Sequence, residues 1–159
     1  MDEALARGRA LEEFGLAWIE EPIRHDDYRG AARLARELRT PIQIGENFSL
    51  VHSMEEALAQ QACDCVMPDL ERIGGVSGWR RAAALAERHG IPMSSHLFPE
   101  VSAHLLAMTP TAHWLEYVDW AASILEEPLR IEKGSAVLPS RPGAGIAWNL
   151  DAVQRYRIP

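Results

Sequence analysis

Five short apolar runs in this chain each end on a polar, ionisable residue, and they recur at similar intervals. Leu16-Ala17-Trp18-Ile19 closes on Glu20-Glu21-Pro22, and Pro41-Ile42-Gln43-Ile44 leads to Gly45-Glu46-Asn47. Cys63 to Met67 runs into Pro68-Asp69, Ile91 to Ser95 reaches His96, and Ala112 to Leu115 reaches Glu116. The end residues are separated by 26, 23, 27 and 20 positions, the length of one strand-loop-helix-loop unit. Such a unit constrains the fold strongly. Its helix carries the chain back to the start of the next strand, so successive strands pair in parallel.

The intervening segments read as helices. Asp2 to Phe14 carries apolar positions at Leu5, Ala6, Leu11 and Phe14, with Gly15 placed to stop it. Tyr28 to Leu38 forms a second helix, with Pro41 beyond its end. Ser53 and Glu56 have the spacing of a capping box and start a helix that runs to about Gln61. Ser77 caps a long helix to His89 with Gly90 at its end, and Val101 to Met108 forms another.

Parallel strands with reactive residues at their carboxyl ends are the pattern of a barrel whose active site occupies that face. The competing open, doubly wound sheet calls for a glycine-rich phosphate loop after a strand, and Gly74-Gly75 lacks its spacing. The expected fold is therefore α/β, a partial TIM-type (β/α) barrel of about five parallel strands with outer helices. A closed barrel takes eight units and about 250 residues, so the first three strands are expected to be absent here. Residues 1–128 form the barrel part. Residues 129–159, rich in Pro and Gly, form a tail beside it, with Leu129 to Glu132 as a short strand. A part-barrel exposes unpaired strand edges and turns its inner layer toward water. Self-association or a complementary amino-terminal half is the expected remedy.

A formal net charge of −7 argues against a nucleic-acid partner, because phosphate backbones are bound by clustered positive charge. No apolar run approaches the roughly 20 residues that span a bilayer, so no membrane role is expected. The opening Met1-Asp2-Glu3-Ala4 lacks the basic start of a signal peptide, and a cytoplasmic location is expected. Cys63 and Cys65 lie too close for an ordinary disulfide and have no metal-site spacing around them, so they read as buried, reduced thiols. Trp79, Trp114 and Trp148 read as core residues. His25, His52, His89, His104 and His113 have no chemical partner in sequence.

Four carboxylates and one imidazole aimed at one mouth call for a shared cation. Glu20 and Glu46 supply hard oxygen donors, which suit magnesium or manganese better than zinc. Asp69 and His96 end neighbouring strands, where an Asp-His hydrogen bond would set the imidazole tautomer and raise its basicity. Glu116 lies one strand further and could hydrogen-bond an anion if protonated.

Six stretches, in order, resemble the successive strand-end motifs of the mandelate racemase branch of the enolase superfamily. They are Trp18-Ile19-Glu20-Glu21-Pro22, Gly45-Glu46-Asn47, Met67-Pro68-Asp69, Arg72-Ile73-Gly74-Gly75-Val76, Ser94-Ser95-His96-Leu97-Phe98 and His113-Trp114-Leu115-Glu116. The resemblance runs from about Leu5 to the carboxyl terminus. It implies a small carboxylate substrate chelated to magnesium, loss of the proton alpha to the carboxylate, and a metal-stabilised enediolate. By the same resemblance Glu20 and Glu46 would be metal ligands, with Glu21 and Asn47 supporting them. Asp69 and His96 would be the base pair, and Glu116 would hydrogen-bond the substrate carboxylate. Racemisation or epimerisation of a 2-hydroxy acid is the leading expectation, and acid-sugar dehydration by a lyase of the same superfamily is the alternative.

The sequence also departs from the family pattern. A first metal ligand on the third barrel strand, a lysine pair on the second and an amino-terminal capping domain are not represented. The only lysine is Lys133, in the tail, and Arg72 stands where relatives commonly carry lysine. Racemisation takes a base on each face of the substrate, so the isolated chain is expected to be inactive. A catalytically inactive fragment or a metal-binding module is the third expectation.

Overall fold

In the computed structural model, which describes residues 1–158, helices and short parallel strands alternate as the intervals predict. The helix α1 (Asp2–Leu11) ends in a 3₁₀ turn, Glu12–Phe14, stopped by Gly15. Then follow β1 (Ile19–Glu20), α2 (Tyr28–Glu37), β2 (Ile42–Ile44), α3 (Leu50–Ala59), β3 (Cys65–Val66), α4 (Gly75–His89) and α5 (Pro99–Ala107). The regular sheet has three strands in the order β1-β2-β3, all parallel, with Glu20 level with Gln43 and Gln43 level with Cys65.

The fourth and fifth extended segments join this sheet by single parallel bridges rather than as full strands. Val66 pairs with Met93, Asp69 with His96, and Met93 with Ala112. The direction and order are as expected, but the regular ladder is shorter than five strands. Pro92 offers only its carbonyl, to Val66 N–H, and has no amide to donate in return.

Some helix starts differ from the sequence expectation. α3 begins at Leu50 with Ser49 at its cap position, and Ser53 lies inside it, its hydroxyl donating to the Ser49 carbonyl. A hydroxyl bonded back one turn is compatible with a helix interior, so the apparent capping box is not a start signal here. α4 begins before Ser77, at Gly75, because Gly74 takes the cap position with a left-handed backbone. α5 begins at Pro99, whose missing N–H is harmless in a first turn. α2 is capped as its sequence allows, by Asp27 accepting from Gly30 N–H at 2.9 Å.

Alternation along the strands separates two faces. Ile42, Ile44, Val66 and Met93 pack outward against the helices, joined there by Leu34, Met54, Ile73 and Trp79 in one buried cluster. Trp79 is fully buried, and its indole N–H donates to Thr109 Oγ1 at 3.0 Å. Trp114 and Trp148, expected in the core, are instead 56% and 51% exposed. Trp114 lies in the fifth extended segment, at the sheet's far edge, where the described residues offer no further strand to cover it. The inward-facing layer is less open than expected: Gln43, Cys65, Met67 and Ser94 are buried. They shield one another, since the Gln43 amide touches Met67 Sδ at 3.2 Å and accepts from Ser94 Oγ at 3.4 Å.

After Glu116 the chain leaves the alternating pattern. It forms an antiparallel hairpin of β4 (Arg130–Glu132) and β5 (Ser135–Val137), then α6 (Leu150–Arg155). Leu125 bridges Trp148, tying the tail's last turn back toward the preceding segment. No helix among the described residues is long and apolar enough to cross a membrane.

Gly78 is fixed by packing: a β-carbon there would overlap the Ile73 carbonyl. Gly78→Ala is expected to destabilise the chain by about 1–3 kcal/mol, the usual range for overpacking, measured as a lower urea midpoint. Both cysteines are buried and unpaired, and burial pushes the Cys63 thiol up to about 12 and raises that of Cys65. The folded chain therefore holds the Cys63 proton more tightly than the unfolded one. Stability from this source is intact below the ordinary thiol value of 9.0 and is lost as pH climbs toward 12. At pH 8 the native chain should resist iodoacetamide while the urea-unfolded chain alkylates at both thiols, read by intact mass.

Candidate active site

Parallel pairing brings the carboxyl ends of all five extended segments to one side, and the ionisable residues gather there. His96 is the centre of the arrangement. Its Nδ1 lies 2.9 Å from Asp69 Oδ2, and its Nε2 lies 3.4 Å from Glu46 Oε2. Asp69 is 4% exposed, and its second oxygen accepts the Arg72 backbone N–H at 2.9 Å. A carboxylate that is buried, hydrogen-bonded by backbone and in contact with an imidazole holds that ring in one orientation.

The β2 end contributes a second group. Asn47 Nδ2 donates to Glu21 Oε2 at 3.0 Å and to Glu46 Oε1 at 3.2 Å, so one amide links the ends of β1 and β2. Gly45 makes the approach possible. Its φ of 142° is open to glycine, and a β-carbon there would meet the Met67 backbone nitrogen at 2.8 Å. Glu20 is more exposed and receives a long contact from Gln43 Nε2 at 3.5 Å. Glu20 and Glu46 are hard oxygen donors from adjacent parallel strands, the donor chemistry that magnesium accepts together with water and substrate oxygens. Among the described residues, no group of three or more His, Cys, Asp and Glu converges to hold a metal ion.

Glu116 is held from two directions. Its backbone N–H donates to Ser95 Oγ at 3.0 Å, and its Oε2 accepts from Leu97 N–H at 2.7 Å. That second bond sits on a strained turn, since Leu97 and Phe98 have φ of 52° and 47° without being glycine. Such conformations cost of order 1–3 kcal/mol each and persist where surrounding contacts impose them. Glu21, directly after β1, shares the feature with φ 38°.

Every residue expected at the mouth lies at a strand end. The contacts join Glu21, Glu46, Asn47, Asp69 and His96 in one network, whereas Glu116 is anchored on the Leu97 turn and Glu20 through Gln43. Sequence reasoning gave no role to Gln43, Ser94, Ser95 or Arg72. Gln43 carried a signal, as a polar residue inside an apolar strand and opposite Glu20. His113, assigned no partner, lies 3.5 Å from Ser94 Oγ through Nδ1 and stacks at an angle between Trp18 and Trp114. A cavity of about 720 Å³ lies elsewhere, under the tail hairpin between Leu125, Leu129, Val137 and Ile146.

Glu116→Ala should leave the Leu97 N–H without its acceptor on a turn that stays strained, lowering stability by about 1–3 kcal/mol in urea unfolding. Glu116→Gln, which keeps an acceptor oxygen, should lose less.

Comparison with known proteins places this geometry in context. The family described as enolase C-terminal domain-like matches residues 1–152. An L-talarate/galactarate dehydratase of Salmonella typhimurium is 37% identical over 151 residues, covering 95% of this chain and 38% of the dehydratase. A Bradyrhizobium enolase crystallised with magnesium and mandelic acid is 45% identical with a TM-score of 0.94, covering 99% of this chain and 44% of that one. An enolase from alpha proteobacterium bal199 with bound magnesium is 51% identical with a TM-score of 0.94, covering 97% and 42%. The chain thus spans well under half the length of these relatives.

Proposed function

This chain belongs to the enolase superfamily, as part of the C-terminal domain of its mandelate racemase type, and on that premise we propose that its strand-end residues serve divalent-metal-dependent removal of the proton alpha to a substrate carboxylate. The observation that carries the reading is the His96–Asp69 pair at 2.9 Å. With Nδ1 engaged by Asp69, the neutral imidazole carries its lone pair on Nε2, the nitrogen that faces the mouth beside Glu46. On taking a proton, His96 becomes an imidazolium that buried Asp69 stabilises at contact distance.

Glu20 and Glu46 are the proposed magnesium donors, with manganese an acceptable substitute, and Glu21 and Asn47 hold Glu46 in place. Magnesium, when bound, would neutralise charge growing on the substrate carboxylate as the proton leaves. Glu116 is proposed to face the substrate carboxylate, oriented by its bond to Leu97 N–H. The barrel part is residues 1–128 and the tail 129–159. Two unpaired buried thiols suit a reducing, cytoplasmic setting.

Racemisation or epimerisation of a 2-hydroxy acid is the first proposed outcome. It takes a second base on the opposite face, which self-association or a complementary amino-terminal half would supply; the chain alone is proposed to be inactive. Dehydration of an acid sugar is the second reading, favoured by the dehydratase relative at 37% identity. An imidazolium can return its proton to a departing hydroxyl on the same face, so that outcome needs no second base.

The test incubates the chain, completed by a complementary barrel half, with magnesium, 2-hydroxy acids and acid sugars in D₂O. Deuterium should enter the alpha position of recovered or inverted hydroxy acid and the beta position of any 2-keto acid, and His96→Asn should slow this by about 10²–10⁴-fold. Inverted configuration marks racemisation, and a 2-keto acid marks dehydration. Magnesium binding lost in Glu46→Gln without any exchange would leave a metal-binding module.

A further inference from the structure

The groups at the mouth close into a ring, and Arg72 is the residue that closes it. Its backbone N–H donates to Asp69 Oδ1 at 2.9 Å, and its carbonyl accepts from Leu50 N–H at 2.9 Å. Its guanidinium reaches back across the gap between the β2 and β3 ends. One nitrogen, Nη1, donates to Asn47 Oδ1 at 2.7 Å and to the Glu46 carbonyl at 3.0 Å. Onward from there, Asn47 Nδ2 meets Glu46 Oε1 at 3.2 Å and Glu46 Oε2 lies 3.4 Å from His96 Nε2. His96 Nδ1 then meets Asp69 Oδ2 at 2.9 Å, and Asp69 returns to Arg72.

The donor and acceptor pattern around the Asn47 amide has one consistent solution. Asn47 must point its oxygen at the cation and its nitrogen at the carboxylates of Glu21 and Glu46, because a guanidinium only donates and a carboxylate only accepts. A single side chain therefore orients the amide that in turn orients Glu46. The sheet cannot do this by itself. The last backbone bond of the β2–β3 ladder is Met67 N–H to the Ile44 carbonyl, and both Glu46 and Asp69 lie beyond it.

We propose that Arg72 is a positioning residue that ties the Glu46–Asn47 loop to the Asp69 loop, and so sets the placement of the metal-binding carboxylate relative to the His96–Asp69 pair. The metal part of this inference rests on the function proposed above; the orienting of Asn47 does not. Because one nitrogen serves both acceptors, the planar fork of arginine is not needed here, and an ammonium at the same place can make both bonds. Arg72 is an exposed side chain, and its backbone bonds to Asp69 and Leu50 survive substitution, so variants should fold.

The experiment compares the wild-type chain with Arg72→Met, Arg72→Lys and Glu46→Gln, using two readouts. One is the side-chain amide signal of Asn47 in ¹⁵N spectra without metal. The other is magnesium affinity by calorimetry. Arg72→Met should shift the Asn47 amide pair and weaken magnesium by about 10–100-fold, the usual effect of losing a partner that orients a ligand. Arg72→Lys should restore both, and Glu46→Gln should abolish magnesium binding with Arg72 intact. An Asn47 signal left unmoved by Arg72→Met overturns the inference, and so does Arg72→Lys behaving like Arg72→Met. Wild-type magnesium affinity retained in Arg72→Met overturns it too. Should wild type and Glu46→Gln both fail to bind magnesium, the metal assignment falls. The Asn47 signal then decides the positioning role alone: moved by Met and kept by Lys upholds it, and any other pattern overturns it.

Discussion

Parallel pairing of short strands is the constraint on which everything else in this structure depends. Each strand here has only two or three residues in the ladder, too few to hold a sheet by hydrogen bonds alone. What holds them is the cluster behind them: Ile42, Ile44, Val66 and Met93 press outward on helices that are themselves the connections between strands. Because every connection within this sheet carries a helix, its strands all run the same way, and the loops after them open on the same side. The gathering of Glu20, Glu46, Asp69, His96 and Glu116 follows from that topology, before any attraction among them acts.

Gathering acidic groups is unfavourable unless each is given a donor, and the structure supplies donors of several kinds. Asp69 takes a backbone N–H and an imidazole. Glu116 takes a backbone N–H from a strained turn. Glu21 and Glu46 share the Asn47 amide, and that amide is held by Arg72. The strain at Leu97 and Phe98 fits this picture, since the turn that incurs it presents the Leu97 N–H to Glu116. Nearly all these donors are neutral, so the negative character of the mouth is oriented rather than cancelled. A mouth of that kind can still attract a divalent cation.

The inward face shows how a layer of a partial barrel stays buried. Gln43 is 1% exposed because it lies across Met67 and Ser94, and Ser94 in turn reaches His113 and the Trp114 backbone. Protection fades along the layer, from Gln43 at its centre to His113 and Trp114 at the last extended segment.

Much of this was legible in the residue order. Alternation of apolar runs with helical stretches at regular intervals specifies parallel strands, and ionisable residues closing the runs specify which end carries the chemistry. Both are periodic, local signals, and local signals survive in one dimension. Helix starts were read less well where glycine or proline, rather than a capping hydroxyl, began the turn, as at Gly74 and Pro99. Three-dimensional packing alone decided the rest. That Trp79 is buried while Trp114 is open depends on which elements cover them, and nothing in the neighbourhood of a tryptophan in sequence states that. That Arg72 reaches Asn47, 25 positions earlier, depends on two loops being brought side by side past the end of the ladder. Sequence determined the direction of the strands and the chemistry at their ends, because both repeat with the chain. Tertiary structure decided which of those groups touch, because contacts between loops depend on distances that no periodicity encodes.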